Sequence, residues 1–191
     1  MVSKILYLHG FGSAVNPNSE KVKALESIGK VVAIAPDYTK GVHVVFDEVY
    51  SFAVHHKVNL IVGTSMGAYF SSRLGQVMEL PHVMINPSHT PSKTLTAYIG
   101  KNIDHYGNEY CLSENIVAHW PDMTVSERGL MILDMGDEIL NSKETYEKFK
   151  NICEVVTYEG GSHRFDHIKE AIGIIENYFL LSTVSSGFGI N

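Results

Sequence analysis

LIVGTSMGAYF, residues Leu60 to Phe70, changes character halfway along. Leu60 to Val62 is an apolar run of the kind that ends a buried strand. Met66 to Phe70 opens a helix that runs from Ser65 to about Val77. Between the two stands Gly63-Thr64-Ser65-Met66-Gly67, a G-x-S-x-G pentapeptide. Glycine and serine are ordinary turn residues, so the pentapeptide gains its meaning from context. A strand before it and a helix after it are what a strained turn needs if it is to lift a serine hydroxyl out at the sheet edge. The free N–H groups of the helix N-terminus then point toward the same spot.

The rest of the chain repeats the alternation. Strands are predicted at Lys4–Gly10, Val31–Asp37, His82–Pro87, Gly129–Asp137 and Glu154–His163. Helices are predicted at Asn18–Ile28, Val42–Lys57 and Lys143–Asn151, with a closing amphipathic helix through Ile168, Ala171, Ile172, Ile175 and Phe179. The strands are apolar nearly throughout, as strands covered on both faces are. The pattern predicts an α/β fold: a doubly wound, mostly parallel sheet flanked by helices, with residues 1–191 as one domain. Ser88 to Glu127 is polar, rich in Tyr and His, and too long for a plain connection. It is expected to be a small cap insert with short helices of its own. The end, SSGFGIN (residues 185–191), reads as a frayed or loosely docked tail.

Bulk numbers exclude several roles. The 191 residues carry 15 Lys and Arg against 21 Asp and Glu, a formal charge of −6. No basic run is present to displace counterions from phosphates, so nucleic acid is not an expected partner. The N-terminal apolar run is too short for a signal-peptide core, and no stretch is long enough to span a bilayer. Cys111 and Cys153 form no C-x-x-C pattern and read as free thiols of a reducing compartment. The expected location is the cytoplasm, with no membrane partner.

A serine hydroxyl becomes a nucleophile when a histidine takes its proton and a carboxylate orients the histidine. On such a sheet the order is Ser, acid, His. Of ten histidines, His163 has the right place, in YEGGSHRF after the last predicted strand. Gly160 and Gly161 suit a loop that carries it over the sheet edge. His167, at the start of the closing helix, is the fallback. For the acid, MILDMGDEIL offers Asp137 in the loop after Gly136. Asp134, still at the strand end, is the alternative acid or a loop-bracing acceptor. Glu138 reads as solvated. Two backbone donors for a developing oxyanion are expected from Met66, next to the serine, and from Phe11, in YLHGFGS after the first strand. His9 reads as a structural residue of that loop.

Other chemistries fit poorly. Gly10 and Gly12 lack the third glycine of a dinucleotide loop, with Val15 in its place, and no G-K-[ST] follows. His163 and His167 lack the glutamate of H-E-x-x-H, and His55 and His56 point to different helix faces. Neither a metal nor a cofactor is expected.

Together YLHGFGS, GTSMGAYF, GDEIL and EGGSHRF resemble the α/β-hydrolase superfamily and, within it, the small YqiA/YcfP-like bacterial esterases. The likeness runs nearly end to end and takes in INPSHTPSKTLTAYIGKN and YGNEYCLSEN. The elbow departs from that family's usual pattern in one place: Ala68 stands where a second glycine is common. The resemblance implies a carboxylesterase or thioesterase acting on a small-molecule acyl ester or thioester. It places the nucleophile at Ser65, the acid at Asp137 and the base at His163, and implies no cofactor. Tyr98, Tyr106, Tyr110 and Trp120 of the insert are candidate wall residues. The competing reading is a hydrolase fold kept as a catalytically silent binding module.

Overall fold

The structure, a computed structural model, describes residues 3–104 and 106–187. Among them are eight strands: β1 (Lys4–Leu8), β2 (Lys30–Ile34), β3 (Leu60–Thr64), β4 (His82–Ile85), β5 (Gly100–Ile103), β6 (Glu109–Leu112), β7 (Gly129–Asp134) and β8 (Glu154–Tyr158). Six of them form one sheet in the order β2-β1-β3-β4-β7-β8, and every pairing in it is parallel. The helices are α1 (Glu20–Glu26), α2 (Val42–His56), α3 (Met66–Met78), α4 (Pro91–Thr94), α5 (Glu114–Ala118), α6 (Ser142–Phe149) and α7 (Ile168–Gly187). The fold is the α/β-hydrolase type of doubly wound sheet.

Side-chain alternation explains the continuous apolar strands. Ile5 and Tyr7 of β1 join a core with Val22 and Leu25 of α1 and Ile168, Ala171 and Ile175 of α7. Leu6 and Leu8, one residue out of step, join the opposite core with Val45 and Val49 of α2 and Tyr69, Phe70 and Leu74 of α3. Both strand faces are dry, so neither can be polar. Helix starts are marked locally: Ser19 Oγ accepts from Val22 N and Asn141 Oδ1 from Glu144 N.

The chain leaves β1 toward β2 on one side and returns to β3 on the other. The ends of β1 and β3 are therefore neighbours, with Leu8 paired to Gly63. A crevice opens beyond the strand ends at such a switch point. Both the loop after β1 and the turn at Ser65 sit there.

Residues 88–127 hold α4, a 3-10 turn at Leu95–Tyr98, the hairpin β5–β6 and α5. The short helices were expected; the antiparallel hairpin was not. The predicted helix start at Ser65 moves to Met66, because Ser65 has a non-helical backbone. The cysteines are unpaired, Cys111 exposed and Cys153 buried. Of the tail, Ser185 to Gly187 continue α7, and residues 188–191 lie outside the described residues. Among the described residues no helix is long and apolar enough to cross a membrane.

Candidate active site

Ser65 occupies φ 58° and ψ −119°, a region that side-chain-bearing residues avoid. Its surroundings hold it there. Its N–H donates to Ile85 O, and its carbonyl accepts from Ala68, Tyr69 and Ser88 N–H groups. The flanking glycines permit the sharp turn. A Cβ on Gly63 would lie 2.1 Å from Gly67 O, and one on Gly67 would lie 2.0 Å from Leu8 O. Strand, turn and helix can approach this closely only without those atoms.

The serine meets the two residues chosen from the far end of the chain. His163 Nε2 lies 3.1 Å from Ser65 Oγ, and His163 Nδ1 lies 2.8 Å from Asp137 Oδ2. The Asp137 side chain is fully buried and His163 only 17% exposed. Asp137 Oδ1 accepts from the N–H groups of Ile139 and Leu140, which fixes the carboxylate plane. Nδ1 thus has an acceptor and Nε2 a hydroxyl partner, the tautomer that leaves Nε2 free to take a proton. Glu138 is exposed, as expected, yet accepts from His163 N–H at 2.9 Å. That hydrogen bond holds its carboxyl below the ordinary value.

Asp134 takes the bracing role. Its carboxylate is fully buried and accepts from Ser162 N, Asp166 N and His167 Nδ1 at 3.2, 2.8 and 2.7 Å. These contacts grip the His163 loop on both sides. Asn86, within the predicted strand His82–Pro87, completes the brace. Its Oδ1 accepts from Asp134 N at 2.8 Å, and its Nδ2 donates to Ser162 O at 3.0 Å. No local signal could have marked it, because its partners lie far along the chain.

The loop after β1 closes the other side. Gly10 packs so tightly that a Cβ there would lie 3.1 Å from Ser65 Cβ. Among the described residues, the backbone N–H groups of Phe11 and Met66 donate to no protein acceptor. Both residues line a cavity of about 360 Å³ together with Ser65 and His163. His9 is buried, as a structural loop residue would be, with Nδ1 near Ser13 Oγ. Phe11 packs on Tyr98 and Tyr110, both at 5.3 Å between ring centres.

Leu95, Tyr98, Ile103, Tyr110 and Leu140 give the cavity an apolar side, and Ser88, Asn102 and Asp104 a polar one. Tyr98 and Tyr110 were expected there. Tyr106 lines a neighbouring cavity instead, across Phe11. Trp120 requires correction: it is 2% exposed and packs edge-on against Tyr69 and Phe70 of α3, so it is core. A polar neighbourhood in sequence concealed an apolar one in space.

Residues 4–180 match the family described as Uncharacterised protein family (UPF0227). The UPF0227 protein YcfP of Escherichia coli O9:H4 (strain HS) is 29% identical over 171 residues, 86% of this chain and 92% of that protein. Among solved structures, Est1E from Butyrivibrio proteoclasticus superposes with a TM-score of 0.71 at 15% identity, covering 96% of this chain and 89% of its own. Alpha/beta hydrolase domain-containing protein 10 from mouse gives 0.65 at 17% identity, covering 95% and 90%.

Proposed function

The chain belongs to UPF0227, and from its site we propose that it is a serine hydrolase cleaving carboxylic esters or acyl thioesters. One observation carries the reading: a strained, half-buried serine at a cavity wall, joined through His163 to a buried, doubly capped Asp137. Two structural neighbours agree with ester chemistry on this fold. Est1E of Butyrivibrio proteoclasticus has been solved with ferulic acid bound, and the neighbour from Rhodothermus marinus is an esterase domain.

Ser65 Oγ attacks the acyl carbonyl while its proton passes to His163 Nε2. Asp137 stabilises the resulting imidazolium without taking the proton. The oxyanion is held by the Phe11 and Met66 N–H groups, which are otherwise unused. His163 then gives the proton to the leaving alcohol or thiol as its bond to the acyl carbon breaks. An acyl group remains on Ser65. Water, deprotonated by His163, attacks that ester, and the acid departs. The hairpin β5–β6 and the turn at Leu95–Tyr98 serve as a cap that walls the acyl chain. Free cysteines suit a cytoplasmic setting.

The test is fluorophosphonate labelling of the wild type and of Ser65→Ala. Labelling confined to the wild type is expected; equal labelling of both sinks the reading. A series of p-nitrophenyl esters of rising chain length, run beside acyl-CoA thioesters, then separates esterase from thioesterase and measures pocket depth.

A further inference from the structure

Two cavities meet at the candidate nucleophile. The one described above, which has Asp104 and, among the described residues, no lysine or arginine on its wall, and a second of about 330 Å³ share Phe11, Ser65 and His163. Their chemistry differs. The second is lined by Lys21, Arg164, His9, Ser13 and Asn16, and no carboxylate stands among its lining residues.

Neither cation has a described carboxylate in direct contact. Lys21 is half-buried and its Nζ donates to the Arg164 carbonyl. Among the described residues, neither Lys21 nor Arg164 makes an ion pair. Burial pushes the Lys21 ammonium down, opposed by Asp166, Asp134 and Glu20, and Arg164 adds to the fall. Of those acids, Asp134 is held by His167 and Glu20 by Lys169, and Asp166 lies off the cavity wall. Burial outweighs those three carboxylates, none of which is in contact with Lys21, so its ammonium gains from an anion brought into contact.

A second observation is independent. His9 is 6% exposed and its Nε2 has no hydrogen-bond partner. Burial, and then the Lys21 charge, pull its pKa down to about 4. The ring is neutral near pH 7, and its unspent nitrogen is buried in the wall of the cavity that Lys21 and Arg164 also line.

We propose that the second cavity receives the leaving-group half of the substrate, and that this half carries an anion, carboxylate or phosphate, bound by Lys21 and Arg164 with His9 as a neutral partner. The assignment rests on Ser65 being the nucleophile. A hydrocarbon acyl chain gains from burial against Leu95, Tyr98, Ile103 and Leu140 in the cavity that holds no cation. The cation-lined one is left for the alcohol or thiol that His163 protonates. When the acyl–oxygen bond breaks, the alcohol departs with its anion still on Lys21.

The experiment uses butyrate esters of three phenols: 4-hydroxybenzoate, 4-hydroxyphenyl phosphate and neutral methyl 4-hydroxybenzoate. Affinity is measured calorimetrically on Ser65→Ala, and kcat/KM on the wild type. Each anionic ester is expected to bind about tenfold or more tightly than the neutral one, with a gap that shrinks as salt rises. Lys21→Met, and separately Arg164→Gln, should collapse the ratio of anionic to neutral affinity, and Lys21→Arg should keep it. Arg164→Gln guards against a folding artefact, because Arg164 is exposed and its carbonyl survives. A carboxylate-only or phosphate-only preference identifies the anion. Equal affinity for charged and neutral esters, or a ratio unchanged in both variants, overturns the inference. So does a preference confined to anions on the acyl half, measured with the mono-4-nitrophenyl ester of glutaric acid against 4-nitrophenyl valerate. Charge-selective binding without turnover would refute the nucleophile and support the anion site. Turnover without charge preference would do the reverse.

Discussion

Two aspartate–histidine pairs stand side by side where β7 and β8 end. Asp137 holds His163 Nδ1 at 2.8 Å, and Asp134 holds His167 Nδ1 at 2.7 Å. Both carboxylates are fully buried. The chemistry of the two contacts is the same, and the surroundings divide them. The free nitrogen of His163 meets the Ser65 hydroxyl. His167 instead lays its ring flat on Tyr158, with planes 8° apart. The carboxylates differ too. Asp137 is capped by its own loop, whereas Asp134 gathers N–H groups from the opposite loop at Ser162 and Asp166. An Asp–His pair becomes a proton relay only when its far nitrogen has a substrate-facing partner. Otherwise it is a clamp.

The sharpest way to break this contrast is to delete each imidazole. His163→Ala should lower kcat on a p-nitrophenyl ester by roughly 10⁴–10⁶-fold, and His167→Ala by less than about tenfold. Similar losses would erase the distinction.

The acids come next. Asp137→Asn should cost roughly 10⁴-fold in kcat, through the wrong tautomer, with little change in melting temperature. Asp134→Asn should do the opposite. It leaves buried donors without their charge and should cost about 3 kcal/mol in denaturant unfolding, with kcat within about tenfold. A stable but inactive Asp134→Asn would assign Asp134 to the chemistry.

Asn86→Ala tests the brace between the pairs. It strands Asp134 N–H and loosens Ser162, so about 1–3 kcal/mol of stability should be lost. Unchanged unfolding would show the brace to be idle.

The smallest effect is in pH. The Asp134 hydrogen bond raises the pKa of His167 above its ordinary 6.5. A histidine that binds its proton more tightly when folded adds stability that is complete below the unfolded value and lost as pH climbs through the raised one. The urea midpoint should therefore fall as pH rises from about 6.5, and His167→Gln should flatten that slope. An equal slope in the variant would detach the clamp from His167.

Much of this was legible in the chain because the cause was local. Apolar strands on both faces announce a covered parallel sheet, and Gly63 and Gly67 announce a turn with no room for side chains. Asp134 and Asp137 were both visible, and the choice between them turned on one glycine. What escaped depends on distant partners. Asn86 and Lys21 look ordinary beside their neighbours in sequence, and their partners arrive from residues 132–166. The hairpin β5–β6 escaped because a short, half-exposed pair of strands built from Lys, Asn, Glu and Tyr has the composition of a loop. Trp120 misled because its burial is decided by α3, not by the polar residues around it.

The backbone at Ser65 has a consequence for anyone who evolves this protein. Its conformation costs of order 1–3 kcal/mol for any residue with a side chain, and glycine escapes that cost. A screen that rewards heat survival alone will therefore favour glycine at position 65 and discard the hydroxyl. Stability and turnover make opposite demands on a single codon, and a useful library must score both at once.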